Sequence, residues 1–122
     1  MKTKEQIEDG LAGFYGTEQY HNHFGRLLMT DGVQWLATNA EAYWLMDIVA
    51  SILHLPKIRK NSFISIKLVK NKNGSALFTA DDGNDNVLYD QDIEYTDFPL
   101  DKVTMFMVDV EKFKVLMLPS EY

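Results

Sequence analysis

The stretch NAEAYWLMDIVASILHLPKIRKNSFISIKL, residues 39–68, contains the change of hydrophobic period that decides the fold. In its first half Ala42, Trp44, Leu45, Met46, Ile48, Val49, Ile52 and Leu53 recur at helical spacing. They cover well over half of a helix circumference, which predicts a central, buried helix from about Asn39 to His54. Pro56 lacks a backbone N–H and is expected to stop that helix. From Ser62 onward the period becomes two, with Ile64, Ile66 and Leu68 alternating with Phe63, Ser65 and Lys67. That is the pattern of a half-buried strand.

Downstream, Asn73-Gly74 offers a tight hairpin turn before Ala76, Phe78 and Ala80. Asp82-Gly83-Asn84 supplies a second turn leading to Val87–Gln91, and Phe98-Pro99 breaks regularity within Thr96–Leu100. Val103–Val108 and Lys114–Leu118 read as a further hairpin. Upstream, Thr3 and Gln6 fit a capping box that opens a short helix, with Ile7, Leu11 and Phe14 on one face. Gly10, Gly13 and Gly16 weaken that helix. Tyr15 to Gly25 reads as an extended loop or short strand ending in a turn at Gly25 and Arg26 to Met29 as a short strand, while Asp31 with Gln34 and Thr38 with Glu41 both match helix starts. The sum is a single α+β domain over residues 1–122, with N-terminal helices packed on one face of a four- to five-stranded, mainly antiparallel sheet.

A chain of 122 residues, 46% hydrophobic and 25% charged, can bury its own core. The absence of cysteine excludes disulfides, thiolate nucleophiles and Cys-ligated metals. With no signal-type apolar region and no run of about 20 apolar residues, the expectation is a cytoplasmic protein without membrane contact. A net charge of -6 argues against direct binding to nucleic-acid phosphate. Negative charge concentrates in Asp81, Asp82, Asp85, Asp90, Asp92, Glu94, Asp97 and Asp101, a segment without Lys or Arg.

Two surfaces stand out as candidate sites. The first joins Asp90, Asp92, Glu94 and Asp97 with the aromatic residues Tyr89, Tyr95 and Phe98, a combination suited to a basic protein partner. The second is a polar face: Tyr43, Asp47, Ser51 and His54 lie four, four and three residues apart on the long helix, and His21 and His23 point to one side of an extended segment. Such a face would serve a small ligand or an acid–base reaction. The two histidines do not complete a metal site, no cofactor motif is present, and Asp81 to Asn86 departs from the calcium-loop pattern. Lys57, Arg59 and Lys60 read as a solvated connector that complements a helix C-terminus.

The segments YGTEQYH (15–21), TDGVQWL (30–36), AYWLMDIVAS (42–51), TDFPL (96–100) and the terminal LPSEY (118–122) resemble a family of small bacterial and mobile-element proteins of no assigned function. The resemblance implies a whole-chain domain and supplies no activity. The functional expectation is a non-catalytic, acidic protein-interaction module of bacterial or phage type. Its specific form is an inhibitor of a host defence nuclease, of anti-CRISPR type, that occupies a basic nucleic-acid groove. The alternatives are a small-ligand binder or enzyme built on the His/Tyr/Asp/Ser face, and a structural homo-oligomer paired through a sheet edge.

Overall fold

The computed structural model describes residues 2–122. Thr3 opens α1 (Lys4–Leu11) through the expected capping box: its hydroxyl accepts from Gln6 N at 3.3 Å and its N–H donates to Gln6 Oε1 at 2.9 Å. A hairpin of β1 (His21–Phe24) and β2 (Leu27–Met29) follows, then α2 (Asp31–Asn39), α3 (Tyr43–Ile52) and the one-turn α4 (Pro56–Arg59). The remaining strands are β3 (Phe63–Lys70), β4 (Ala76–Asp81), β5 (Val87–Ile93), β6 (Lys102–Val110) and β7 (Phe113–Met117), with a closing 3-10 turn at Pro119–Glu121.

The sheet has seven strands in the order β1-β2-β7-β6-β3-β4-β5, against the four or five expected. The additions are the N-terminal hairpin, which joins the sheet by pairing β2 in parallel with β7; every other pairing is antiparallel. β2 lies within the short strand expected over Arg26–Met29, but so short a strand does not show which sheet it joins, and its partner lies far along the chain. The β3–β4 turn is longer than expected. Asn71 N–H donates to Ser75 O at 2.7 Å and Gly74 N–H to Asn71 O at 3.1 Å. Only Gly74 has positive φ, at 89°, which makes a three-residue turn with a glycine bulge. Glycine is needed there twice over, because a Cβ would lie 2.8 Å from the Tyr95 ring.

Helix boundaries moved for local reasons. The cap of α2 is Thr30, whose hydroxyl accepts from Val33 N at 3.4 Å; Asp31 is instead engaged with the segment before β1. The long helix begins at Tyr43, not Asn39, with no side-chain cap, and Thr38 and Glu41 form no capping box. Asn39 bonds back to Trp35 O at 2.8 Å and Glu41 takes a left-handed φ of 49°, so the chain turns a corner there. α3 ends at Ile52, ahead of Pro56 as expected; Leu55 before the proline is extended, and Pro56 itself opens the first turn of α4, where its missing N–H costs nothing.

The alternation read in β3 is obeyed: Ile64, Ile66 and Leu68 are buried and join one core with Phe78, Met105 and Leu116 of the sheet and Val33, Leu36, Leu45, Met46 and Val49 of the helices. Each such side chain contributes about 1.5–3 kcal/mol on burial. The C-terminus is pinned to this core. Glu121 accepts from the Thr30 hydroxyl at 2.6 Å and from the N–H groups of Gly32 and Leu118, each at 3.0 Å. Its carboxylate thereby serves the free N-terminal amides of α2.

Candidate functional site

The face of α3 that sequence spacing marked as polar is the face turned from the core. Tyr43, Asp47, Ser51 and His54 are all exposed, while Leu45, Met46, Val49 and Ile52 are buried. Strand β1 lies against it. The His23 ring donates from Nε2 to Asp47 Oδ1 at 2.7 Å and stacks on Tyr43, centroids 5.9 Å apart at 21°. Its side chain is 11% exposed, so this is a docked ring. His21 is held separately, its Nε2 2.7 Å from Asp31 Oδ1. The six residues therefore do not form one site: His23 joins Asp47 and Tyr43, His21 pairs with Asp31 from outside the set, and Ser51 and His54 line a separate cleft.

The hydroxyls on this face are already committed. Ser51 Oγ donates to Ile48 O at 2.6 Å, and the Tyr43 and Thr38 hydroxyls pair at 2.9 Å. Among the described residues the rings of His21 and His23 hydrogen-bond carboxylates and no hydroxyl, and nucleophilic catalysis requires a hydroxyl within reach of its base. Among the described residues no group of three or more His, Cys, Asp or Glu is gathered as a metal site. No described helix is long and apolar enough to cross a membrane.

Ser51 and His54 instead line a cleft of about 650 Å³. Its walls come from the β1–β2 turn (Phe24, Gly25, Arg26), the end of α3 and beyond (Ala50, Ser51, Leu53, His54), Arg59 of α4, and the β6–β7 turn (Asp109, Glu111, Lys112, Phe113, Lys114). Lys114 is buried and donates to Asp109 Oδ1 and Asn61 O. Arg26 and Arg59 have exposed side chains that make no hydrogen bond or ion pair among the described residues. Sequence reasoning reached Ser51 and His54 of this lining and missed the two arginines. Arg59 was expected to be part of a solvated connector, and Arg26 was noted only as the start of a strand. The one available signal was scarcity, since the chain has no other arginine.

The acidic and aromatic residues do not form the expected single surface. Phe98 is 1% exposed and meets Trp44 edge-on at 6.4 Å, so it belongs to the core and cannot anchor a partner. Tyr89 also turns inward: it packs against Phe78, centroids 6.1 Å apart, and its hydroxyl donates to Gln91 Oε1 at 2.8 Å. The strand alternation places Asp90 and Asp92 on the opposite face of β5. Those two residues, with Glu94, Asp97 and Tyr95, remain exposed. Asp81, by contrast, is buried beside Lys67 at 3.6 Å, and Asp101 is held by Lys4 at 2.9 Å.

The segments that carried the family resemblance meet in space. Asp31 of TDGVQWL accepts from Glu18 N–H at 2.9 Å and from His21, and donates its own N–H to the Thr17 hydroxyl at 2.9 Å, all three partners lying in YGTEQYH. The hydrogen bond from His21, with support from Glu18 N–H and Thr17, holds the Asp31 carboxyl below the ordinary carboxylate range. LPSEY supplies Glu121, which binds Thr30 and Gly32 of the same helix start. TDFPL supplies Phe98, which packs on Trp44 of AYWLMDIVAS. The motifs thus describe how the fold is fastened, and the cleft lies outside most of them.

The chain belongs to the Family of unknown function (DUF6876), whose model matches residues 5–122. No curated protein matches it. It is similar to a protein of unknown function from Enterococcus faecalis with a known crystal structure, at a TM-score of 0.56 and 20% identity over 81% of this chain and 97% of that one. At that identity the likeness shows the fold alone.

Proposed function

We propose that this chain is a non-catalytic binding domain whose ligand occupies the cleft between the β1–β2 turn, the end of α3 and the β6–β7 turn. The observation that carries the reading is the lining of the concavity: in about 650 Å³ it combines Phe24, Leu53 and Phe113 as apolar wall with Arg26, Arg59 and His54 as polar groups. That size and mixture are typical of small-molecule sites. Thermal unfolding against a set of small aromatic fragments tests it, with Ser51→Trp as a variant that fills the cleft from an exposed position. Fragments should raise the melting temperature of the native chain and not that of the variant. Stabilisation unaffected by the tryptophan, or absent throughout, would overturn the reading.

A second reading is favoured by Asp90, Asp92, Glu94 and Asp97, which stay exposed beside Tyr95. On this reading the β5 edge is a protein-interaction surface for a partner with a basic nucleic-acid groove. The domain would then act as an inhibitor of a defence nuclease, carried by a bacterium or mobile element. Reversal of Asp90, Asp92 and Glu94 to Lys should abolish capture of such a nuclease; unchanged capture would remove the reading.

A further inference from the structure

We infer that the cleft is a receptor for a small aromatic phosphate monoester, a ligand of mononucleotide size and chemistry; this rests on the cleft being the ligand site. The charge arrangement leads there. The chain as a whole carries -6, yet its only two arginines, 33 positions apart in sequence, converge on this one concavity. Lys114 is neutralised by Asp109. Lys112 and Glu111, adjacent in the chain and on the same wall, cancel in formal charge, and the Lys112 ammonium sits 5.6 Å from the Phe113 ring centroid. What remains uncompensated is Arg26 and Arg59, a local charge of two.

A phosphate monoester carries about -1.5 to -2 at pH 7 and offers three acceptor oxygens, which matches that charge. Guanidinium groups suit it better than ammonium groups because their planar forks bind two oxygens at once. His54 adds a ring N–H at the same rim, while the Ser51 hydroxyl proton is held by Ile48 O. The rest of the ligand would meet Phe24 and Phe113. Phe24 is 71% exposed and lines the cleft, so its ring offers a surface on which a flat group can pack. Polynucleotide is disfavoured as the occupant, because a long phosphate chain would have to run past a surface that is otherwise acidic.

The experiment is titration calorimetry with three probes: adenosine 5′-monophosphate, adenosine and inorganic phosphate. It uses the native chain and the variants Arg26→Gln and Arg59→Gln. Both arginine side chains are exposed and make no hydrogen bond or ion pair among the described residues, so circular dichroism and melting temperature should be unchanged in the variants. The nucleotide should bind at least tenfold more tightly than either adenosine or inorganic phosphate. Each substitution should weaken the nucleotide at least tenfold and leave adenosine within twofold. Arg26→Lys should recover only part of the loss, since it restores charge without the fork. Equal affinity for nucleotide and adenosine would overturn the phosphate assignment and leave the ligand-binding reading standing. Nucleotide affinity unchanged in both glutamine variants would also overturn it. Failure of all three probes, together with silent fragments, would remove both.

Discussion

Replacing Glu121 by alanine should cost this domain a large part of its stability, although the residue is next to last in the chain. The carboxylate accepts three hydrogen bonds, from the Thr30 hydroxyl at 2.6 Å and from Gly32 and Leu118 N–H at 3.0 Å each. Hydrogen bonds to a charged group contribute roughly 1.5–3 kcal/mol each, but they are not additive and water will replace some of them. It will not easily reach Thr30, which is 0% exposed. Allowing for that, the loss should be about 2–4 kcal/mol. For a chain of this size that is a fall in melting temperature of roughly 6–20 °C. Glutamine should cost about half as much. An amide oxygen at the Oε1 position keeps the bonds to Thr30 and Leu118, while the NH2 then faces the Gly32 N–H, donor to donor. Differential scanning calorimetry of the two variants decides the matter. A fall below 2 °C for alanine, or glutamine as damaging as alanine, would refute this account of the C-terminal anchor.

Phe98→Ala should destabilise by about 3–5 kcal/mol in urea denaturation, as a buried aromatic does; a near-neutral effect would return Phe98 to the surface. Gly10→Ala ordinarily gains about 1 kcal/mol in a helix. Here the new Cβ would lie 2.0 Å from the Trp35 ring, so the substitution should destabilise, and should become stabilising in a Trp35→Leu background. Asp31 is depressed below the ordinary carboxylate pKa by its bond from His21. Its stabilisation is therefore fully present above about pH 4 and is lost as the pH falls through the lower folded value. Asp31→Asn should flatten the melting temperature between pH 5 and pH 2; a profile parallel to that of the native chain would show that Asp31 contributes nothing.

Much of the fold was legible because period and capping are local. The two-residue alternation of Ile64, Ile66 and Leu68, the apolar face of Leu45, Met46, Val49 and Ile52, and the Thr3–Gln6 box each state their outcome within a few residues. What failed depended on distant partners. Thr38 and Glu41 look like a helix start, but Asn39 and the left-handed Glu41 make a corner between α2 and α3. Strand β2 falls where a short strand was expected, but its parallel pairing with β7, Leu27 against Lys114, was not legible. Phe98 reads as a surface aromatic beside acids until Trp44 is seen against it. The polar stripe of α3 was read correctly as a face and incorrectly as one site. His23 docks on Asp47 and Tyr43, whereas Ser51 and His54 serve a cleft completed by three other segments. No sequence period links Arg26, Arg59 and Lys114, so only the folded chain brings them together.

Amide chemical-shift mapping of the native chain during titration with adenosine 5′-monophosphate puts the cleft to trial. The shifts should concentrate in Phe24–Arg26, Ser51–His54, Arg59 and Glu111–Lys114, the segments that wall it. Shifts centred on Asp90–Asp97, or none at saturating nucleotide, would contradict the placement of the ligand site.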